Sequence, residues 1–258
     1  MNNPVYLTST KAYPIAYSEQ DVMPLLRDPF CRAVVLRDPD FVFDAKEIQA
    51  LRLEDLAQKY WEDATAPSGR LRSGETTHTS LLTVDDIRSE SRVAGIVISE
   101  TALSLFTERC NQIRALFGRV FEEYTGLRNT VLRGFTLFTP VGGRGRAPEL
   151  HIDNTILSVH WSAALSTFRV CDGDIPDDIW DVLDPDTRKN YFHFLVDALK
   201  RHDLQTVENE IGDIMITKGQ KGLDLSSRDV RQAVCVHASS DTIIQNGQAG
   251  FLMTPQMS

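Results

Sequence analysis

Arg133-Gly-Phe-Thr-Leu-Phe138-Thr-Pro-Val-Gly142-Gly-Arg-Gly-Arg-Ala-Pro-Glu-Leu-His151-Ile-Asp153 reads as a strand that enters a Gly/Pro loop and emerges at His-x-Asp. Side chains two residues apart share a face of an extended chain, so the imidazole of His151 and the carboxylate of Asp153 point the same way. Two His and one carboxylate on one triangular face are a common way of holding divalent iron with coordination positions left open. A third donor must then come from far along the chain. His237 is the best placed, because it ends the apolar run Ala233–Val236 and lies 86 residues beyond His151. His160 competes, standing on a strand shortly after Asp153, whereas His193 and His202 fall on a helix and His78 in a polar segment. The plain alternative is that these are packed or surface histidines and that His-x-Asp is accidental, since such a tripeptide alone has little specificity.

The surrounding pattern sets the fold class. From Ser99 to Tyr124 the residues Leu103, Phe106, Cys110, Ile113, Phe117, Val120, Phe121 and Tyr124 recur at steps of three and four, and Gly126 supplies a stop. That spacing predicts a long amphipathic helix packed on a core. Downstream come short β-branched or aromatic runs separated by Gly, Pro and Asp: Val131 to Val141, Ile156 to Trp161, Thr167 to Val170, Ile214 to Thr217, Ala233 to Val236 and Phe251 to Thr254. A helical insert is expected at about 186–202. Upstream, Asp44 to Asp63 has helix-rich composition, and Ser68 to Thr79 is the best candidate for a mobile segment. Helix first and strands later argue for an α+β fold whose sheet half is a sandwich or barrel. The expected division is 1–98 as an N-terminal helical extension and 99–258 as the main domain.

Composition narrows the function. The 258 residues carry 27 Lys+Arg and 36 Asp+Glu, a formal charge of −9, with 42% hydrophobic residues, as in ordinary globular proteins. Such a charge repels a phosphate backbone, so nucleic acid is an unlikely partner and a small molecule the expected one. No apolar run approaches the ~18 residues that cross a bilayer, and the first residues lack a basic start and apolar core, so a cytoplasmic protein is expected. Cys31, Cys110, Cys171 and Cys235 form no CxxC pair, which suits buried reduced thiols. Gly142 to Arg146 matches neither nucleotide-binding fingerprint, and there is no G-x-S-x-G or H-E-x-x-H. Six aspartates from Asp174 to Asp186 lack the Gly and Glu of a calcium loop and read as a solvated loop or lid. The sequence is silent on oligomeric state.

Taken in order, the Ser99 to Tyr124 helix, Arg133 to Phe138, His151-x-Asp153, Gly212-Asp213-Ile-Met-Ile-Thr-Lys218-Gly219, Val236-His237, Asn246-Gly247 and Phe251 to Thr254 resemble the iron(II)/2-oxoglutarate-dependent dioxygenase superfamily. Gly212 to Gly219, with a His some twenty residues on, also resembles an uncharacterised bacterial subfamily, DUF1826. The resemblance covers Ser99 to Pro255. It implies a double-stranded β-helix core, jelly-roll or cupin-like, with packing helices. It also implies Fe(II) held by His151, Asp153 and His237, 2-oxoglutarate as cosubstrate, and oxidation of an unactivated C–H bond in a small-molecule or amino-acid-type substrate.

One departure stands out. Many members place Arg or Lys two residues after the glycine of the final hairpin to pair with the far carboxylate of 2-oxoglutarate, and here that position is Ala249. Arg169 is the first substitute, since its planar fork suits a carboxylate, and Lys218 the second. Arg133 and Thr167 are candidates for lining the same pocket. Two alternatives stay open: a cupin-like metalloprotein that does not use 2-oxoglutarate, and a non-enzymatic β-helix binding domain.

Overall fold

The structure is a computed structural model that describes residues 6, 8–42, 44–52, 55–56, 84–127, 132–138, 152–153, 155–161, 168–177, 206–223, 227–239 and 250–255. It is a mixed α+β fold. In chain order its elements are β1 (Ile15–Ala16), α1 (Glu19–Leu26), β2 (Ala33–Leu36), a short 3-10 turn, α2 (Ala45–Leu51), α3 (Val84–Val93) and α4 (Glu100–Thr125). There follow β3 (Leu132–Phe138), β4 (Leu157–Trp161), β5 (Phe168–Cys171), β6 (Thr206–Glu208), β7 (Ile214–Lys218), α5 (Arg228–Gln232), β8 (His237–Ser239) and β9 (Gly250–Pro255). Among the described residues the strands form three sheets, ordered β1-β2-β7-β4, β3-β9 and β6-β5-β8, with β4 and β9 in contact. Every pairing between strands is antiparallel except β1 with β2.

The long helix forms where its three-and-four spacing predicts. The Ser99 side chain accepts from the Ala102 amide, and Gly126 ends the helix at φ 71°, a left-handed turn that glycine takes without steric cost. Its apolar stripe buries Leu103, Phe106, Cys110, Ile113, Phe117 and Val120 against one face of the four-stranded sheet. Phe106 stacks on Trp161 with ring centroids 5.7 Å apart, and the Trp161 indole N–H donates to the Phe41 carbonyl.

Strand period two divides that sheet. Leu157, Val159 and Trp161 of β4, Ile214 and Ile216 of β7, and Val34 and Leu36 of β2 face the helices. The alternate residues of β2 and β7, Ala33, Val35 and Met215, join Tyr13, Val170 and Cys235 in a second cluster between this sheet and β6-β5-β8. By register, Ser158, His160 and Thr217 share that inner face, since Ser158 pairs with Thr217 and His160 with Met215.

Two features depart from the expectation. Residues Ala33–Leu36, in the part expected to be helical and loop, form a strand that pairs with β7, so the first hundred residues feed the sheet as well as the helices. The expected strand Ala233 to Val236 begins later: Ala233 caps α5, and β8 opens at His237. Ser68 to Thr79 and the insert at 186–202 lie outside the described residues. Among those described, no helix is long and apolar enough to cross a membrane. The four cysteines are all buried and unbridged.

Candidate metal centre

Asp153 is fixed through its backbone. Its carbonyl accepts from the Gln220 amide at 3.0 Å, and the Gly219 and Lys221 amides bond the carbonyls of Ile156 and Thr155. Gly219 makes this approach possible, because a Cβ there would lie 2.7 Å from the Asp153 carbonyl and closer still to that of Thr155. The end of β7 therefore clamps the segment that presents the carboxylate.

His237 is set from the other sheet. Cys235 donates its amide to the Lys218 carbonyl at 2.9 Å, and Cys171 donates to the Val236 carbonyl at 3.1 Å, holding the approach to β8 between β7 and β5. Arg32, almost fully buried, adds a clamp: its guanidinium donates to the Gln232 and Gly173 carbonyls and to the Gln232 side chain. His237 Nδ1 lies 3.2 Å from the Cys235 carbonyl. A carbonyl only accepts, so Nδ1 carries the proton and Nε2 presents its lone pair to the centre, as in a ligating histidine whose other nitrogen donates to a backbone carbonyl.

His160 completes the group. Its Nε2 lies 3.6 Å from one oxygen of Asp153, and His237 Nε2 lies 3.6 Å from the other. The two rings stand 5.3 Å apart at 59°. One donor atom from each of Asp153, His160 and His237 falls within 4.8 Å of the others. Both imidazoles are buried, and Asp153 is 24% exposed, so water reaches the group from the carboxylate side. Burial pushes the Asp153 carboxyl up. Where the facing imidazoles carry a proton toward it, their charges and hydrogen bonds, His237 first and then His160, outweigh burial and hold the carboxyl well below the usual range. The carboxylate thus stays ionised, as a ligand must.

These donors fit a divalent ion. Metal–donor bonds of about 2.1 Å put neighbouring donors about 3 Å apart at right angles, so donors that stand within 4.8 Å of one another draw together to close on a metal. Two imidazoles and a carboxylate suit iron(II), with imidazole also suiting zinc and copper. The arrangement defines a candidate metal centre, a donor set suited to metal-dependent chemistry.

The residues singled out in the sequence fall in different places. Asp153 and His237 come together, joined by His160. His151 and Thr167 lie outside the described residues, and Arg133 sits on β3 with its side chain outside them. Lys218 points to the helix side of β7, where its ammonium donates to the Asp28 carbonyl at 3.0 Å and lies over the Tyr124 ring. Arg169 pairs in register with Ala238 and Glu208, whereas its neighbour Val170 pairs with His237 and packs in the inner cluster. Strand alternation therefore sets Arg169 on the face of β5 turned from the centre. His160 and Thr217, 3.4 Å apart, are the residues that sequence reasoning did not bring into the set. The signal for His160 was the alternation Leu157-Ser158-Val159-His160-Trp161, whose polar face reads as solvent but turns inward.

In comparisons with known proteins, no family model matches the chain and no curated protein matches it in sequence.

Proposed function

We propose that the chain is a non-haem Fe(II)- and 2-oxoglutarate-dependent dioxygenase that oxidises a small-molecule or amino-acid-type substrate. The observation that carries the reading is the buried grouping of Asp153, His160 and His237 at one end of the space between two sheets. The strand neighbours β6-β5-β8 and β1-β2-β7-β4, with β9 against β4, support a double-stranded β-helix core. Residues 99–258 would hold it, with β2 packed in from the first 98. Asp153 and His237 are ligands on either route to the set. His160 is the second imidazole by geometry, and His151 keeps the place that His-x-Asp gives it as a further donor.

Iron with 2-oxoglutarate and dioxygen supplies the power to oxidise an unactivated C–H bond. The chain's own residues do the rest. Asp153 and the two imidazoles hold the ion from one side, the Cys235 carbonyl orients His237, and Val35, Val170 and Met215 keep the inner wall dry. Substrate reaches the centre from the wetter Asp153 side.

A second reading, a cupin-like metal enzyme without 2-oxoglutarate, is favoured by the places of Lys218 and Arg169 on faces turned from the centre. Incubating purified protein with Fe(II), 2-oxoglutarate and oxygen and measuring succinate separates the two. The proposal expects succinate release that stops in Asp153→Ala. Iron binding without any succinate moves the reading to the cupin-like alternative, and no metal binding leaves a non-enzymatic binding domain. Metal content of His151→Ala beside His160→Ala decides which imidazole belongs to the set.

A further inference from the structure

Thr217 is almost fully buried on the inner face of β7, directly opposite Ser158 and two residues along from the Met215–His160 pair on the same face. Its hydroxyl makes two long contacts, 3.4 Å to His160 Nε2 and 3.5 Å to the Ser158 carbonyl, both at the outer limit of a hydrogen bond. On its other side β2 offers Ala33, which has no polar side-chain group. The Ser158 hydroxyl, by contrast, is committed to Thr155 at 2.7 Å.

Once His160 Nε2 spends its lone pair on a metal, it no longer shares a hydrogen bond with Thr217, whichever of the two was the donor. The hydroxyl proton is then left with one long contact to a carbonyl, in a buried site where an unmade hydrogen bond is costly. An oxygen ligand that joins the ion on the side of His160 would offer it an acceptor.

We propose that Thr217 is the group that selects this exchangeable ligand: its hydroxyl donates to an oxygen of a 2-oxo acid chelated beside His160. The inference rests on the dioxygenase reading above. A hydroxyl is a directional single donor, so it favours a ligand that presents an anionic oxygen near the metal. Its contribution comes from a charge-assisted hydrogen bond at the chelating end, independent of any cation that meets the far carboxylate.

The test is anaerobic titration of Fe(II)-loaded protein with 2-oxoglutarate, followed by calorimetry and by the visible charge-transfer absorption of the chelate. Wild type, Thr217→Val and Thr217→Ser are compared, with the metal affinity of each measured first. Valine keeps the shape and loses the donor, so its Kd for 2-oxoglutarate should rise about tenfold with a shifted absorption band, while metal affinity stays within about twofold. Serine should restore both. Equal 2-oxoglutarate binding by the valine variant and wild type overturns the inference and leaves the dioxygenase reading standing. Wild type that holds the metal and ignores 2-oxoglutarate overturns both. Should the valine variant fail to fold, Thr217→Ala takes its place, and an alanine variant that binds 2-oxoglutarate as tightly as wild type overturns the role of the donor.

Discussion

Asp153 joins two sheets' worth of chemistry through two bonds of different kinds: its carbonyl is tied to the end of β7, and its carboxylate faces imidazoles from β4 and β8. Gly219→Ala should therefore act at a distance, because the added methyl displaces the Asp153 and Thr155 carbonyls. We expect at least a tenfold loss of metal affinity and a stability cost of about 1–3 kcal/mol from overpacking, read by metal titration and thermal melting. Unchanged metal binding would mean that this clamp does not position the carboxylate. Asp153 and His237 were legible in the sequence because one follows a loop in an extended pattern and the other ends an apolar run. His160 was legible only as a competitor. Choosing it required knowing that the polar face of β4 turns inward, and alternation alone does not say which face is wet. Lys218 and Arg169 were chosen by residue type for the same reason, since one step of register decides which side of a strand a cation serves.

At the level of elements, α4 was readable from its spacing and its glycine stop, and the runs that became β3, β4, β5, β7 and β9 from β-branched and aromatic residues. β2 was missed because Ala33-Val-Val-Leu36 is a four-residue apolar run with no alternation, buried on both faces, and such runs carry little periodic signal. β6 is three residues long and was missed for want of any pattern. The stack of Phe106 on Trp161 joins α4 to the side of β4 opposite His160. Phe106→Ala should cost about 3–5 kcal/mol by cavity formation, lowering the melting temperature, while the folded protein binds metal as before. A variant of native stability would show that the helix is not packed on the sheet in this way. Loss of metal binding in the folded state would show that the centre depends on the helix face after all.

Over the whole molecule, buried thiols give the folded state an alkaline limit. Burial pushes the Cys31 thiol up to about 12 and the Cys171 thiol to about 11, against about 8.5 in an unfolded chain. Between those values the folded chain keeps protons that the unfolded chain has lost, so this stability is full below about pH 8.5 and falls as the pH rises toward 11 and 12. The Lys218 ammonium works the other way: burial lowers its pKa, so its penalty eases as the pH climbs toward the unfolded value of about 10.4. Two thiols outweigh one amine, and the melting temperature should drop steadily from pH 9 to 11. Replacing Cys31 and Cys171 by Ala should lessen that drop without abolishing it, because burial pushes the Cys110 and Cys235 thiols up as well, and a melting temperature that holds constant to pH 11 in the native sequence would refute the assignment of these as buried thiols.

The central claim is that Asp153, His160 and His237 hold one metal ion between two sheets. Its most direct test is anaerobic titration of metal-free protein with Fe(II), with bound iron counted per chain, in wild type and in His160→Ala. The account predicts one ion per chain in wild type and at least a tenfold weaker affinity when the His160 imidazole is removed, because a three-donor set reduced to two gives up one metal–ligand bond. Wild type that binds no iron, or a His160→Ala protein that binds it as tightly as wild type, would contradict the account.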